Sequence, residues 1–249
     1  MVTVASWNIA GGRKMKSPKM FDYSDEDLGY FAEQIQKVSP DIICLQETHT
    51  NKNRSIAKEI AGSLGMNFVF DSPASPSHVD KNYTLGNAII SKYDFTQKES
   101  FQLPDPTFDL YFSDGKKAKI HQRKLQLVVV KNTFIANIHM SPLHIFGYDY
   151  AKDKGLGFAH AIEKLLLAKL QKPLIFCGDF NYNTPQTIYP NLISTFNLKD
   201  SVPDKLTAPC EKDVTKSDHI FYSEEFTLVN SGVIETETDH YLCYISFNY

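Results

Sequence analysis

Short apolar runs alternate with polar stretches along the chain. A continuous apolar run of about 4–8 residues between turn-forming residues is typical of a buried β-strand. Because only Lys131 and Asn132 separate two such runs, we expect a hairpin turn there. We predict strands at residues 2–7, 41–46, 87–91, 124–130, 133–140, 173–177, 219–223, 227–234 and 241–247.

Longer segments carry apolar residues at helical spacing, and we predict helices at residues 24–38, 53–65 and 153–171. The first of these begins with Ser24 and acidic residues, which is typical of a helix N-terminus. Strand–helix–strand units come first and strand pairs follow, so the order indicates an α/β fold with helices outside a sheet core. No repeat or linker-like segment interrupts this pattern, and we expect one domain over residues 1–249.

The composition narrows the class of protein. A formal net charge of -3 over 249 residues argues against a protein that coats nucleic acid non-specifically. The chain contains no apolar run of the roughly 18 residues that suggests a membrane span, and its first residues do not resemble a targeting segment. Cys44, Cys177, Cys210 and Cys243 lack the paired spacing of metal ligands, so we expect a reduced, cytoplasmic setting.

Polar side chains follow several of the predicted strands. Asn8, Glu47 and His139 stand at the ends of three strands, and Asp179 and Asn181 follow the strand at 173–177. Buried polar groups are costly without partners, and active sites of α/β folds collect at such strand ends. Alternation along an extended chain predicts that Asp179 and Asn181 point the same way. Carboxylate and amide oxygens suit Mg²⁺ together with a phosphate, so we expect a site for both.

Seven short fragments follow one another along the chain: SWNI (6–9), LQE (45–47), GNAIIS (86–91), NIHMS (137–141), GDFN (178–181), SDHIF (217–221) and TDHYL (238–242). In this order they resemble the motifs of the endonuclease/exonuclease/phosphatase superfamily. The resemblance implies a four-layered α/β sandwich, in which two central mixed sheets of the deoxyribonuclease I-like type are flanked by helices. It also implies a Mg²⁺-dependent phosphoesterase in which an activated water attacks the phosphate directly.

By this resemblance Asn8 and Glu47 hold Mg²⁺, for which Mn²⁺ is a possible substitute, and Asp239 binds the metal directly or through water. The number of metal ions stays open. Asp179 orients or deprotonates the attacking water, and Asn181 hydrogen-bonds the phosphate.

Three more catalytic roles follow from the same resemblance. His240 contacts the scissile phosphate, and Asp218 pairs with it and fixes its tautomer. Relatives differ on whether the aspartate or the histidine takes the proton of the water, so both alternatives stay open here. His139 is able to protonate the leaving oxygen.

Candidate substrate-binding residues are Asn87, Arg13 and Arg123. Asn87 resembles a second amide on the phosphate side, and the arginines belong to basic stretches at residues 11–19 and 114–124. Aromatic residues at 108–112 precede the second stretch, an arrangement that suits a surface for a nucleic-acid backbone and its bases. A solvated hairpin of mixed charge explains that stretch equally well.

The motifs predict the reaction better than the substrate. We favour nucleic acid, cut by an endonuclease, an exonuclease or a DNA-end phosphodiesterase, over lipid headgroups or soluble inositol and sugar phosphates. An inactive binding scaffold is disfavoured because Glu47, Asp179, Asn181 and His240 are all present. No protein partner is implied. His219 is expected to pack in the core.

Overall fold

A computed structural model describes residues 1–17, 19, 22–119 and 121–248. Two six-stranded sheets form its centre. The first sheet contains, in spatial order, β13 (Thr227–Ile234), β14 (Leu242–Asn248), β1 (Val2–Asn8), β4 (Ile42–Thr50), β6 (Thr84–Ser91) and β5 (Phe68–Pro76). Strands β1 and β4 are parallel, whereas the other neighbours in this sheet are antiparallel.

The second sheet has the same mixed character, because its neighbours β9 and β10 are parallel and its other pairs are antiparallel. Its strands, in spatial order, are β11 (Lys199–Asp200), β12 (Asp218–Tyr222), β10 (Leu174–Asp179), β9 (Thr133–His139), β8 (Lys124–Val130) and β7 (Gln97–Gln102). A separate two-stranded ribbon joins β2 (Arg13–Met15) to β3 (Tyr23–Glu26).

Helices cover the outer faces of both sheets. Their bounds are α1 (Leu28–Gln36), α2 (Ile56–Ser63), α3 (Asp153–Lys169), α4 (Pro185–Ile188) and α5 (Pro190–Phe196), and a 3-10 turn spans Leu143–Phe146. The first two helices pack on the first sheet and the other three on the second. A third apolar cluster joins the inner faces of the two sheets. These layers confirm the predicted four-layered sandwich with two mixed central sheets.

Burial on both faces explains the unbroken apolar runs of the central strands. In β1, Val4 faces the core between the sheets, whereas Ala5 and Trp7 face the helices. The Trp7 ring lies 4.6 Å from the ring of Phe31 in α1, measured between centroids. A strand buried in this way has no solvent-facing side, and its polar residues Thr3 and Ser6 are buried with hydrogen-bond partners.

Most predicted elements are present with shifted ends, but the first helix starts later than predicted. Residues 23–26 form β3, in which the hydroxyl of Ser24 accepts a hydrogen bond from the backbone N–H of Lys14. The helix begins at Leu28 instead, and the side chain of Asp27 caps it by accepting from the N–H of Tyr30. The chain does contain a helix-capping residue in this segment, but it is Asp27 rather than Ser24.

Strands β5 and β7 were not predicted, and both lie at an edge of their sheet. The sequence of β5 includes Pro73 and Pro76, and that of β7 is largely polar and exposed. Edge strands tolerate proline and polar residues because one side of the strand has no hydrogen-bonding neighbour. The predicted hairpin is confirmed: Lys131 and Asn132 have positive φ angles of 48° and 62°, as in a type I′ turn.

No helix among the described residues is both long enough and apolar enough to span a bilayer.

We expect Gly178→Ala to lower the free energy of unfolding by about 1–3 kcal/mol or more, because this position combines a positive φ with a close backbone approach. Gly178 has φ 144°, and a Cβ there would lie 1.9 Å from the carbonyl oxygen of Ile138 in the neighbouring strand. Urea unfolding measures the effect.

Gly157→Ala is the control, because it lies in α3 with no atom within 4 Å of an added Cβ. That change should stabilise the chain by about 0.5–1 kcal/mol. Equal effects of the two substitutions would contradict the packing described for Gly178.

Candidate active site

A pocket of about 430 Å³ opens at the edge shared by the two sheets. The C-terminal ends of β1, β9 and β10 meet there with the loops that precede β12 and β14. Because the two sheets place these ends side by side, residues distant in sequence face one volume. Of the predicted site residues, the pocket is lined by Asn8, Glu47, Arg123, His139, Asp179, Asp239 and His240.

Asp179 is the centre of this group and is only 1% exposed. Its Oδ2 atom accepts a hydrogen bond from Asn8 Nδ2 at 3.0 Å and lies 3.4 Å from His139 Nε2 and 3.7 Å from His240 Nε2. Burial raises the pKa of this carboxyl to about 7, although the charge of His240 opposes the rise. Asp179 is therefore a carboxylate that can gain or lose a proton near neutral pH.

His240 pairs with Asp218 behind the pocket. Its Nδ1 lies 2.8 Å from Asp218 Oδ2, and Asp218 is fully buried. Burial alone would lower the pKa of His240, but the charges of Asp218 and Asp179 outweigh it and hold the pKa well above its usual range. His240 is therefore an imidazolium that directs its other N–H into the pocket.

His139 has the opposite electrostatic surroundings. Its Nδ1 lies 2.9 Å from Arg123 Nη1, and a guanidinium can only donate. Nδ1 must therefore accept, so the ring proton is on Nε2, the atom nearest Asp179. Burial and the charge of Arg123 lower the pKa of His139 well below its usual range. This histidine is neutral, with its one N–H directed into the site.

Glu47 reaches the pocket from a β-bulge. The predicted end of the strand at this residue is wrong, since β4 continues to Thr50. Its pairing with β6 is interrupted between Leu45 and Thr48, and Glu47 has a positive φ of 54°. A bulge inserts an extra residue and re-aims a side chain without ending the strand. The Glu47 carboxylate lies 3.8 Å from His139 Nε2 and 4.0 Å from Arg123 Nη1, beyond hydrogen-bonding distance.

Glu47, Asp239 and Asn8 are the donor set that fits a divalent metal. Asp239 Oδ1 is buried and has no hydrogen-bond partner among the described residues, while Oδ2 accepts from the hydroxyl of Tyr23 at 2.6 Å. Burial raises the pKa of Asp239, which a bound cation would counteract. Two carboxylates and an amide oxygen match the preference of Mg²⁺ for hard oxygen ligands.

Asp179, Asp218 and His240 are also close enough together to hold an ion, since their ligand atoms all lie within 4.8 Å of one another. The hydrogen bond between His240 Nδ1 and Asp218 Oδ2 already uses one potential ligand atom of each residue. We therefore interpret this trio as a group that holds a proton rather than a metal.

Asn181 supports Asp179 from behind, and the reasoning that placed both on one face of an extended strand is wrong. The chain turns after Asp179, since Asn181 has a φ of 49°. The backbone N–H of Asn181 donates to Asp179 Oδ1 at 2.9 Å, and its side-chain Nδ2 donates to the carbonyl of Met140 at 3.0 Å. The turn orients the carboxylate and leaves Oδ2 directed at the pocket residues.

The predicted substrate-binding residues Asn87 and Arg13 lie in different places relative to the pocket. Asn87 lines a small cleft beside Arg123 and His139 and donates to the carbonyl of Lys124. Arg13 is not among the residues that line the pocket; it donates to the carbonyl of Ser24 at 2.9 Å and lies 3.6 Å from Asp80.

Several lysines of the two basic stretches form ion pairs within the chain. Lys14 contacts Asp27 at 3.0 Å, Lys116 contacts Asp114 at 2.7 Å and Lys117 contacts Asp109 at 2.7 Å. These pairs reduce the positive charge that the sequence predicted around the site.

Sequence reasoning missed part of the pocket wall. Tyr23 reaches Asp239 because the β2–β3 ribbon folds back against residue 237, and no motif marks it. The other lining residues outside the motifs include His78, His121, Phe112, Phe146 and Cys210. His219, expected to pack in the core, is fully buried and stacks on Phe221 with 5.7 Å between ring centroids.

Comparison with known proteins assigns the chain to a family. The model of the "Endonuclease/Exonuclease/phosphatase family" matches residues 5–240. A curated relative from Dictyostelium discoideum, "DNA-(apurinic or apyrimidinic site) endonuclease", is 24% identical over 178 residues. The match covers 72% of this chain but 41% of the relative, so the chain spans less than half of that protein.

Two solved structures show the shared fold. An endonuclease/exonuclease/phosphatase from Beutenbergia cavernae has a TM-score of 0.76 at 17% identity, covering 98% of this chain and 70% of that one. A mannosyl-6-phosphatase from Bacteroides thetaiotaomicron has a TM-score of 0.64 at 21% identity, covering 100% of both chains. On the extent of the family match, the chain belongs to the Endonuclease/Exonuclease/phosphatase family.

Proposed function

We propose that the protein is a Mg²⁺-dependent phosphoesterase in which water attacks the phosphate directly and residues 1–249 act as one domain. Family membership supports a hydrolase. The observation that carries the proposal is the position of Asp179 Oδ2, which lies among Asn8, His139 and His240 within 3.7 Å. This arrangement combines a proton acceptor with two N–H donors in one pocket.

Asn8, Glu47 and Asp239 would hold the metal, and Mn²⁺ would be accepted by the same oxygen ligands. Mg²⁺ bound there would neutralise the negative charge of the phosphate oxygens as the attacking oxygen approaches.

In this proposal Asp179 takes the proton of the water as the water oxygen bonds to phosphorus. The bond from phosphorus to the ester oxygen breaks, and the departing oxygen is protonated by solvent. A general base works best when its pKa lies near the operating pH, and burial brings the pKa of Asp179 to about 7. His240 cannot accept a proton, because Asp218 and Asp179 keep it protonated. Asn181 fixes Oδ1 of Asp179 through its backbone N–H, so Oδ2 remains available to the water.

The two pocket histidines donate hydrogen bonds to the phosphate. His240 directs a charged N–H, and His139 directs a neutral one, at the volume beside Asp179. Donors placed where negative charge develops lower the barrier because they need no reorganisation. The neutral state of His139 suits an N–H donor better than the proton source expected from the resemblance.

Nucleic acid is the substrate class we propose first. The curated relative named above is described as an endonuclease for apurinic or apyrimidinic sites in DNA, and it aligns with 72% of this chain. Exposed Phe112 and Tyr111 lie near Lys116 and Lys117, which suits contact with bases beside a phosphate backbone.

Small phosphate esters are the second candidate, and the pocket itself favours them. Its volume of about 430 Å³ lies within the range of roughly 300–1,000 Å³ that is typical of small-ligand sites. The ion pairs of Lys14, Lys116 and Lys117 leave less free positive charge for a long polyanion. A solved structure with the same fold is described as a mannosyl-6-phosphatase.

We expect Asp179→Asn to lower kcat by about 100–10,000-fold, the usual contribution of a general base. The measurement is hydrolysis of bis(p-nitrophenyl) phosphate with Mg²⁺, accompanied by a thermal melt. The melt should show a folded protein with a lowered midpoint, since the amide keeps the shape of the side chain and the bond from Asn181 but loses the bond from Asn8. Asp105→Asn, at an exposed position, is the matched control and should retain full activity. Activity of Asp179→Asn within a few-fold of the parent would refute the proposed base.

We expect Tyr23→Phe to weaken Mg²⁺ binding by about 10–100-fold, the usual effect of removing a hydrogen bond to a metal ligand. Calorimetric titration with Mg²⁺ measures the affinity without any need for turnover. Tyr93→Phe is the control. It removes a hydroxyl contact to Asp41, which precedes β4 at the end of the first sheet away from the pocket. Unchanged Mg²⁺ affinity in Tyr23→Phe would show that Asp239 is not a metal ligand.

A substrate panel separates the two candidate classes. We expect the highest kcat/KM on abasic duplex or single-stranded DNA, compared with sphingomyelin, inositol phosphates and sugar phosphates. A higher kcat/KM on a small ester would instead support the second candidate. No Mg²⁺- or Mn²⁺-dependent hydrolysis of any of these esters would contradict the proposed function.

A further inference from the structure

One wall of the pocket collects nitrogen donors to which the proposed chemistry assigns no contact with the scissile phosphate. His78, His121 and Arg123 all line the same volume as Asp179 and His240. The rings of His78 and His121 meet edge to face, with 5.7 Å between their centroids. His121 and Arg123 are two residues apart in the segment that leads into β8.

Arg123 is a deeply placed charge, with 12% of its side chain exposed. One of its terminal nitrogens contacts His139, while its Nε is buried and has no hydrogen-bond partner among the described residues. A guanidinium has five N–H groups, and a buried charge is costly unless those groups are satisfied. Arg123 therefore has at least one buried N–H group that can donate to a further acceptor.

His121 also has a buried ring nitrogen, Nδ1, with no hydrogen-bond partner among the described residues. Imidazole presents at least one N–H in either protonation state, so the ring can serve as a donor. Together with His78 and Arg123 it forms a wall of nitrogen donors around one corner of the pocket.

The charge balance of this wall favours an anion. Glu47 is the carboxylate nearest Arg123, at 4.0 Å. If Glu47 binds the divalent metal, its charge is engaged there, and no other carboxylate among the described residues lies within 4.0 Å of the arginine. Asp179 acts on Arg123 only from a greater distance. An anion on the substrate would then satisfy both the charge and the unused N–H groups.

We propose that His78, His121 and Arg123 form a second anion subsite, which binds a phosphate other than the scissile one. The site would thus prefer esters with two phosphates on one skeleton, whether neighbouring nucleotides of a strand or a small bisphosphate. The proposal rests on the proposed function, because the scissile phosphate must lie beside Asp179. Phe112, Ile145 and Phe146 line the same pocket and offer an apolar surface for the skeleton.

Binding in an Asp179→Asn background with Mg²⁺ tests the subsite without turnover. Calorimetry compares adenosine 5′-monophosphate with adenosine 3′,5′-bisphosphate, and glucose 6-phosphate with glucose 1,6-bisphosphate. We expect the bisphosphate of at least one pair to bind roughly 10-fold or more tightly, since charge-assisted hydrogen bonds are strong. Preference in the nucleotide pair or the sugar pair identifies the source of the second phosphate.

The variants His78→Gln, His121→Gln and the double variant should reduce this preference to within about threefold, mainly by weakening bisphosphate binding. His160→Gln is the control, at an exposed position of α3. His78 is itself exposed, so its variant should fold even if the others do not. An undiminished preference in His78→Gln and His121→Gln, or no preference in the parent, would overturn the subsite.

Failure of the proposed function gives a different result. In that case the wild-type chain hydrolyses no phosphate ester, while its bisphosphate preference still depends on the histidines. That result would support the anion subsite and refute the proposed phosphoesterase function.

Discussion

The site depends on the meeting of two sheets at one edge. The hydrogen bond from Asn8 to Asp179 joins the end of β1 in the first sheet to the end of β10 in the second. Deeper in the same interface, Gln46 donates to Asn137 at 2.7 Å, and Asn137 donates to the carbonyl of Leu45 at 3.0 Å. These buried bonds are costly to break, so they fix how the strand ends of one sheet face those of the other.

Once the sheets are fixed, electrostatics gives the two pocket histidines different protonation states. His240 faces the buried carboxylates of Asp218 and Asp179, which hold its proton. His139 faces Arg123, which occupies its Nδ1 and leaves the ring neutral. Both then present an N–H toward Asp179, a carboxylate that is itself poised to change protonation state near neutral pH. A proton acceptor flanked by two donors is what the attack of water on a phosphate requires.

The sequence predicted the features that depend on local pattern. Apolar runs marked the central strands, and their polar ends marked Asn8, His139 and Asp179. Features that depend on tertiary contacts were missed. The bulge that aims Glu47, the turn that orients Asn181 and the ribbon that brings Tyr23 to Asp239 leave no periodic signal. The ion pairs that neutralise several lysines were also invisible, because their partners lie elsewhere in the chain or across a turn.

The most direct test of the central claim is a crystal structure with Mg²⁺ and inorganic phosphate. We expect the ion on the carboxylates of Glu47 and Asp239, and the phosphate beside Asp179 with the N–H groups of His139 and His240 directed at its oxygens. An ion bound instead among Asp179, Asp218 and His240, or a phosphate outside the pocket, would contradict the proposed site.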